Sequence, residues 1–146
     1  MRGLTSIRGL SIRQPWASLI AEGNKRIETR SWSTTHRGLV AIHASKAFPK
    51  DALRFAQEER ALGRIPPRIP RGAIVAVARI GNVIGTDEAA WQISGLERHL
   101  GDYSDGRYAW YLEDVRALEE PIPCRGALSL WKLPPEVHLR LVEAFR

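Results

Sequence analysis

Between Leu10 and Lys46 the chain reads LSIRQPWASLIAEGNKRIETRSWSTTHRGLVAIHASK, and three successive patterns there limit what it can build. From Pro15 to Glu22, a proline in the first turn, Leu19 and Ile20 on an apolar side and Gly23 as a left-handed stop predict a short helix. From Lys25 to Trp32 the chain alternates as a strand does. Glu28, Arg30 and Trp32 share one face, and Ile27, Thr29 and Ser31 the other. After a turn at His36, Arg37 and Gly38, the run Leu39 to Ala44 is largely apolar on both faces, the mark of a central strand. Charged and aromatic groups thus gather at a helix-to-strand junction, where they can line a pocket.

The rest of the chain supplies a sheet and its covering helices. Pro49 to Leu62 is rich in helix formers, with Leu53, Ala56 and Phe55 assigned to its apolar face and Gly63 as the stop. Three prolines in RIPPRIPRG, Arg64 to Gly72, enforce an extended basic connection. Ala73 to Gly85 is a β-rich buried strand whose glycines allow a bulge. Thr86 or Asp87 can cap a helix running through about His99, and Gly101 to Gly106 is a polar loop. Tyr108 to Leu112 and Ala127 to Trp131 read as further strands joined through PIPCRG, and Pro134 to Phe145 as a closing amphipathic helix. Strands interrupted by two helical insertions suggest an α+β fold, a small, partly closed β-barrel decorated by short helices.

At 146 residues the chain fits one domain, 1–146, with enough length to bury about two-thirds of the surface that its unfolded form would expose. Lys and Arg number 22 against 16 Asp and Glu, a formal charge of +6 that draws polyanions, nucleic acid first among them. The cations are mostly arginine, which suits bidentate phosphate contacts and stacking on bases; a GC-rich coding sequence accounts for that bias equally well. A single cysteine, Cys124, rules out an internal disulfide and a multi-cysteine zinc site, and is read as a packing residue. The beginning of the chain lacks the apolar core of a signal peptide and the longest apolar run is too short to span a bilayer. A cytoplasmic protein with no membrane contact is the expectation.

Lys25, Glu28 and Arg30 carry the chemistry of the junction. A partly desolvated lysine serves as base or nucleophile, a carboxylate shuttles protons, and an arginine holds phosphate or a carbonyl oxygen. Strict alternation places Lys25 on the face opposite Glu28 and Arg30, so a shared site requires a bend where the strand begins. The same trio also reads as a surface salt-bridge cluster. Trp16 and Trp32 have faces on which a base can stack, or belong to the core. Ser45 and Lys46 stand at a strand end, where they either bind phosphate or cap and solvate. His43, within an apolar strand, reads as a hydrogen-bonded core histidine. The four histidines lack zinc spacing and there is no phosphate-cradling glycine loop, so no metal and no cofactor is expected.

The chain resembles the ASCH domain family, a branch of the PUA-like superfamily. The likeness rests on SIRQPWASLIAEGNKRIETRSW followed by RGLVAIHASK, and on YAWYLEDVRALEEPIPCRGALSLWKL near the other end. Its most specific part is G-x-K-x-x-E-x-R, here Gly23, Lys25, Glu28 and Arg30, with Pro15 and Trp16 upstream. The resemblance implies a PUA-like barrel with a cleft between barrel and helices where RNA or a nucleobase binds, lined by Lys25, Glu28 and Arg30. Some small relatives look like amidohydrolases acting on acetylated cytidine, and others like ribonucleases. The amidohydrolases place a threonine three residues after the lysine as presumed nucleophile. Here that position is Glu28, and Thr29, one position on, is expected to face the other side of the strand.

The first expectation is therefore an RNA- or nucleotide-binding module. Lys25 and Arg30 would hold anionic or carbonyl groups, Glu28 would accept from a base amino group, Trp16 and Trp32 would wall the cleft, and Ser45 and Lys46 would take phosphate. The alternative is a metal-independent hydrolase acting on a modified nucleoside of the N4-acetylcytidine kind or on single-stranded RNA, with Lys25 and Glu28 as base and acid. A third reading is a protein-interaction domain in a transcription or translation assembly.

Overall fold

The computed structural model describes residues 1–146 and is built around one curled six-stranded sheet, a half-barrel of mixed α+β type. Its strands are β1 (Arg8–Ile12), β2 (Ile27–Arg30), β3 (Leu39–Ala44), β4 (Ala73–Gly85), β5 (Tyr108–Pro123) and β6 (Leu130–Lys132). They lie in the order β2-β5-β4-β3-β1-β6, and β1 runs parallel to β3 while the other pairs are antiparallel. β4 and β5 are long, and their register shifts at three places, between Ile74 and Ala76, Val77 and Arg79, and Ile80 and Val83. Each irregularity adds local twist, which bends the pair and curls the sheet.

Five helices cover this sheet: α1 (Trp16–Ala21), α2 (Lys50–Ala61), α3 (Thr86–Ala89), α4 (Gly95–His99) and α5 (Pro135–Ala144). β3 is buried on both faces, as its unbroken apolar run requires. Val40, Ile42 and Ala44 join Leu10, Ile12, Ala17, Ile20, Ala76, Ala78 and Trp110 on one side. Leu39 and Ala41 join Ile74, Val77, Trp131, Leu133, Val137 and Leu141 on the other, beneath α5. Alanines at 17, 44, 76 and 78 are small enough for α1 to approach the sheet closely. A third cluster, Leu19, Ala56, Ile65 and Leu100, ties α1 to α2, the proline-rich connection and the end of α4. That tie places the loop after α4 beside α1 and β2.

Several expectations need correction. The strand β1 has no counterpart in the sequence reading, because RGLSI is short and begins with arginine and glycine. The helix expected from Thr86 to His99 is two helices, interrupted after Ala89; the second is capped by Ser94, whose hydroxyl accepts from the Glu97 backbone N–H. Leu53 is exposed, and the buried side of α2 is Ala52, Ala56 and the carboxylate residue Glu59. The strand expected from Ala127 begins only at Leu130, while the one at Tyr108 continues to Pro123. The strand expected from Lys25 starts at Ile27, so that Lys25 lies in the turn before it.

Candidate functional site

That turn solves the problem of facing. Gly23 adopts φ +83°, and the backbone N–H groups of Asn24 and Lys25 both donate to the Leu19 carbonyl at 3.0 Å. The chain wraps over the end of α1 and delivers the Lys25 side chain inward before alternation begins. Lys25 is 1% exposed, its Nζ donating to the Leu100 carbonyl at 2.9 Å and lying 3.8 Å from Glu28 Oε1. On the neighbouring strand residue of the same face, Arg30 Nη2 forms an ion pair with Glu28 Oε2 at 3.0 Å and donates to the Ser11 carbonyl at 2.6 Å. Lys25, Glu28 and Arg30 therefore form one connected, largely buried group rather than a surface cluster.

The group forms the floor of a cleft of about 520 Å³ between the β1 and β2 strand ends and helices α1, α2 and α4. One wall is aromatic. Trp16 stacks on Phe55 at 5.2 Å between centroids with the planes 12° apart, Arg13 lies 5.5 Å over the Trp16 ring, and Phe55 meets the His99 ring at 5.4 Å. Behind the wall, the fully buried Glu59 carboxylate accepts from Arg64 Nη1 at 3.0 Å on each oxygen and lies 3.5 Å from His99 Nε2. The opposite side is the loop Leu100–Asp102, with Arg107 Nε 3.5 Å from Asp102 Oδ2.

Burial governs the electrostatics. Desolvation pushes the Lys25 ammonium below its ordinary pKa, opposed by the fields of Glu28 and Glu97. The Glu97 carboxyl is pushed up by the same cause, although its Oε1 accepts from the Arg26 N–H at 2.5 Å and Lys25 lies close enough to favour its charge. At the rim, hydrogen bonds from Ser104 hold the Asp102 carboxyl below its usual range, with Arg107 helping.

Not every expected residue reaches this cleft. Trp16 lines it and Trp32 does not: the Trp32 ring meets Trp110 edge-on at 4.7 Å, and its carbonyl accepts from the Trp110 indole N–H at 3.2 Å. Ser45 and Lys46 border a different cavity. Thr29, expected on the far side of the strand, lines the cleft, its Oγ1 accepting from the Asp102 N–H at 3.2 Å. The edge strand β2 explains this, since the loop after α4 packs alongside it and turns the flank of Thr29 into part of the wall. Arg13, Phe55, His99, Asp102 and Arg107 are cleft residues without a prior signal beyond the basic character of the chain. The Leu19–Ala56–Leu100 contacts bring Phe55, His99 and the Asp102 loop together, while Arg13 follows β1 and Arg107 is placed by the pairing of β5 with β2 and donates to the Thr29 carbonyl.

A family model described as the ASCH domain matches residues 10–122. The chain belongs to the ASCH domain family. The chain is 27% identical over 135 residues to activating signal cointegrator 1 of Homo sapiens, a match that covers 88% of this chain and 22% of that protein. The Mus musculus protein of the same name matches to the same extent. The chain thus spans about a fifth of the length of these curated relatives, given their 22% coverage. Among solved structures, the crystal structure of ASCH from Zymomonas mobilis superposes with a TM-score of 0.62 at 17% identity, over 94% of each chain. A mutant of that protein gives 0.59 at 14% identity over 94% of this chain and 96% of its own. At such identities the likeness establishes a shared fold, the α+β PUA-like one that the resemblance implies, with a half-barrel sheet in place of the small, partly closed barrel expected from the sequence. No helix is long and apolar enough to cross a membrane.

Proposed function

We propose that this ASCH domain binds RNA or a nucleotide, with a base entering the cleft and phosphate engaged at its rim. The observation that carries the reading is the meeting, in one cleft, of a buried polar floor and a stacked aromatic wall. Pockets for small polar ligands combine apolar walls with a few fixed polar groups, and bases are recognised by stacking and by hydrogen bonds along their edges. Glu28 is fixed by Arg30 on one oxygen and retains lone pairs on both for a base amino group. Arg30 keeps a buried Nε–H without a protein partner. Arg13, Lys25, Arg30 and Arg107 outnumber Glu28 and Asp102 around the cleft, in keeping with an anionic ligand.

Titration of a labelled single-stranded RNA at increasing salt tests this reading. The expected result is a logarithmic affinity falling linearly with the logarithm of salt concentration, by about 0.7 per phosphate contact, and a loss of about tenfold or more in Arg30→Ala. Binding indifferent both to salt and to that substitution overturns it.

A second reading, a metal-independent hydrolase acting on an N4-acetylcytidine-like amide or on single-stranded RNA, is supported by Lys25. A desolvated lysine next to a carboxylate is a competent base, and the Thr29 hydroxyl lies on the same cleft. Turnover of acetylated cytidine or RNA, abolished in Lys25→Ala, is what this reading expects; no turnover across a nucleoside and RNA panel removes it.

A further inference from the structure

A second cavity, of about 720 Å³, opens on the other side of Ser11 from the cleft. It lies between the end of β3, the start of β4 and the connection from Pro123 to Leu128. Ser11 borders both cavities and is the partition between them. Its carbonyl accepts from Arg30 of the cleft floor at 2.6 Å, while its hydroxyl meets His43 Nδ1 of the second cavity at 3.0 Å. His43 is 3% exposed, and its Nε2–H donates to the Cys124 carbonyl at 2.7 Å. Because a carbonyl only accepts, that bond fixes the proton on Nε2, and Nδ1 then accepts from the Ser11 hydroxyl. The partition thus links the Arg30 guanidinium, through the Ser11 carbonyl and hydroxyl and the neutral His43 ring, to the Cys124 carbonyl.

The charged side chains that line the second cavity are both cations, although Glu136 lies near enough to act on Cys124. Lys46 and Arg125 stand on its border, both exposed, and no carboxylate lines it. The Lys46 stem passes over Gly72, where an added Cβ would come within 3.2 Å of its Cγ. Pro123, Cys124, Ala127 and Leu128, the last 92% exposed, give the cavity an apolar side opposite Ser45 and His43. Cations beside an apolar wall, continuous with a base-sized cleft across one residue, match the repeating chemistry of a single nucleic-acid strand.

We infer that the second cavity is the subsite for the nucleotide next to the one in the cleft, so that the ligand is a single-stranded oligonucleotide crossing Ser11. This inference rests on the base-binding reading of the cleft and names its ligand class. Lys46 and Arg125 hold the phosphate on the far side of Ser11, and the Ala127–Leu128 wall faces the neighbouring sugar or base. Ser45 and Lys46, expected from the sequence to take phosphate, do so here rather than in the cleft.

The experiment compares the four nucleoside 5′-monophosphates with a short mixed-sequence oligoribonucleotide, on the unaltered protein and on the Lys46→Ala, Arg125→Ala double variant, whose two side chains are exposed. The oligonucleotide is expected to bind at least about tenfold more tightly than any mononucleotide. The double variant loses that margin, its salt slope falls by about 0.7 for each lost phosphate contact, and mononucleotide affinity is unchanged. If mononucleotides bind and the oligonucleotide binds no better, or if the double variant retains full oligonucleotide affinity and slope, the subsite is overturned while the cleft reading stands. If neither ligand binds, both fail together.

Discussion

Lys25 Nζ donates to the Leu100 carbonyl at 2.9 Å while staying 3.8 Å from Glu28 Oε1, so a backbone carbonyl, not a tight ion pair, is its nearest partner. The carboxylate nearby is occupied by Arg30 at 3.0 Å. A buried ammonium so placed has only partial compensation for its lost hydration, which is why desolvation outweighs the attraction of Glu28 and Glu97.

The consequence is a pH signature. The folded-state pKa of Lys25 lies below 10.5, its ordinary value, so between the two the unfolded chain holds a proton that the folded chain lacks. Stability attributable to Lys25 therefore rises with pH across that interval, and the cost of burying its charge is present in full below it. Urea denaturation from neutrality to pH 10.5 should show this rise in the unaltered protein and lose it in Lys25→Met. Matching profiles in the two proteins would show that the lysine titrates normally.

His43 gives the acid counterpart. Burial lowers its pKa from 6.5 against the opposing hydrogen bond to the Cys124 carbonyl. Below 6.5 the unfolded chain takes up a proton that the folded chain refuses until its own lower pKa is reached, so stability falls as pH drops through that window. Protonation also places a second donor at Nδ1, against the Ser11 hydroxyl. In His43→Gln the slope below pH 6.5 should flatten in equilibrium denaturation, while an unchanged slope assigns the titration to other groups.

The two ends of the sequence reading differ in how far local rules reach. Gly23 as a left-handed stop, the apolar run of β3 and the bounds of β4 at Ala73 and Gly85 follow from residues within one element. The grouping of Lys25 with Glu28 and Arg30 was suggested by spacing, but its geometry depends on Asn24 and Lys25 sharing the Leu19 carbonyl, a feature of the turn that alternation alone does not contain. Ser94 and Glu97 have the spacing of a capping box, yet the Glu97 carboxylate goes to the Arg26 N–H, 71 residues away. Cleft walls built from Phe55, His99 and Arg107 belong to contacts across the whole chain, and no periodicity encodes them.

Glu59 provides a test of the wall. Its carboxylate is wholly buried on α2 and answers Arg64 through both oxygens at 3.0 Å, with His99 at 3.5 Å. Replacing it by glutamine removes the charge facing the Arg64 guanidinium, which at 28% exposure is partly screened by water, so the cost is about 1–2 kcal/mol, below that of a fully buried pair. For a chain of this size the midpoint of thermal unfolding should drop by roughly 3–8 °C. Calorimetry of Glu59→Gln measures it, and a drop of less than about 2 °C would mean that the pair contributes no more than an exposed one.

Gly9 tests the far edge of the sheet. It pairs with Trp131 across β1 and β6, and a Cβ at Gly9 would lie 2.4 Å from Trp131 Cε2 and 2.5 Å from Cζ2. The indole cannot simply swing into solvent, because it is 8% exposed, packs in the cluster beneath α5 and meets His43 edge-on at 5.5 Å. Relief must come from the three-residue strand β6, whose pairing with β1 spans only Arg8 to Leu10. Gly9→Ala should therefore cost about 1–3 kcal/mol, as overpacking of a filled core does. The loss should be accompanied by faster amide exchange in Leu130–Lys132 and a shifted Trp131 indole resonance. Unchanged exchange in β6 together with an unaltered denaturation midpoint would show that the sheet edge accommodates the methyl group without strain.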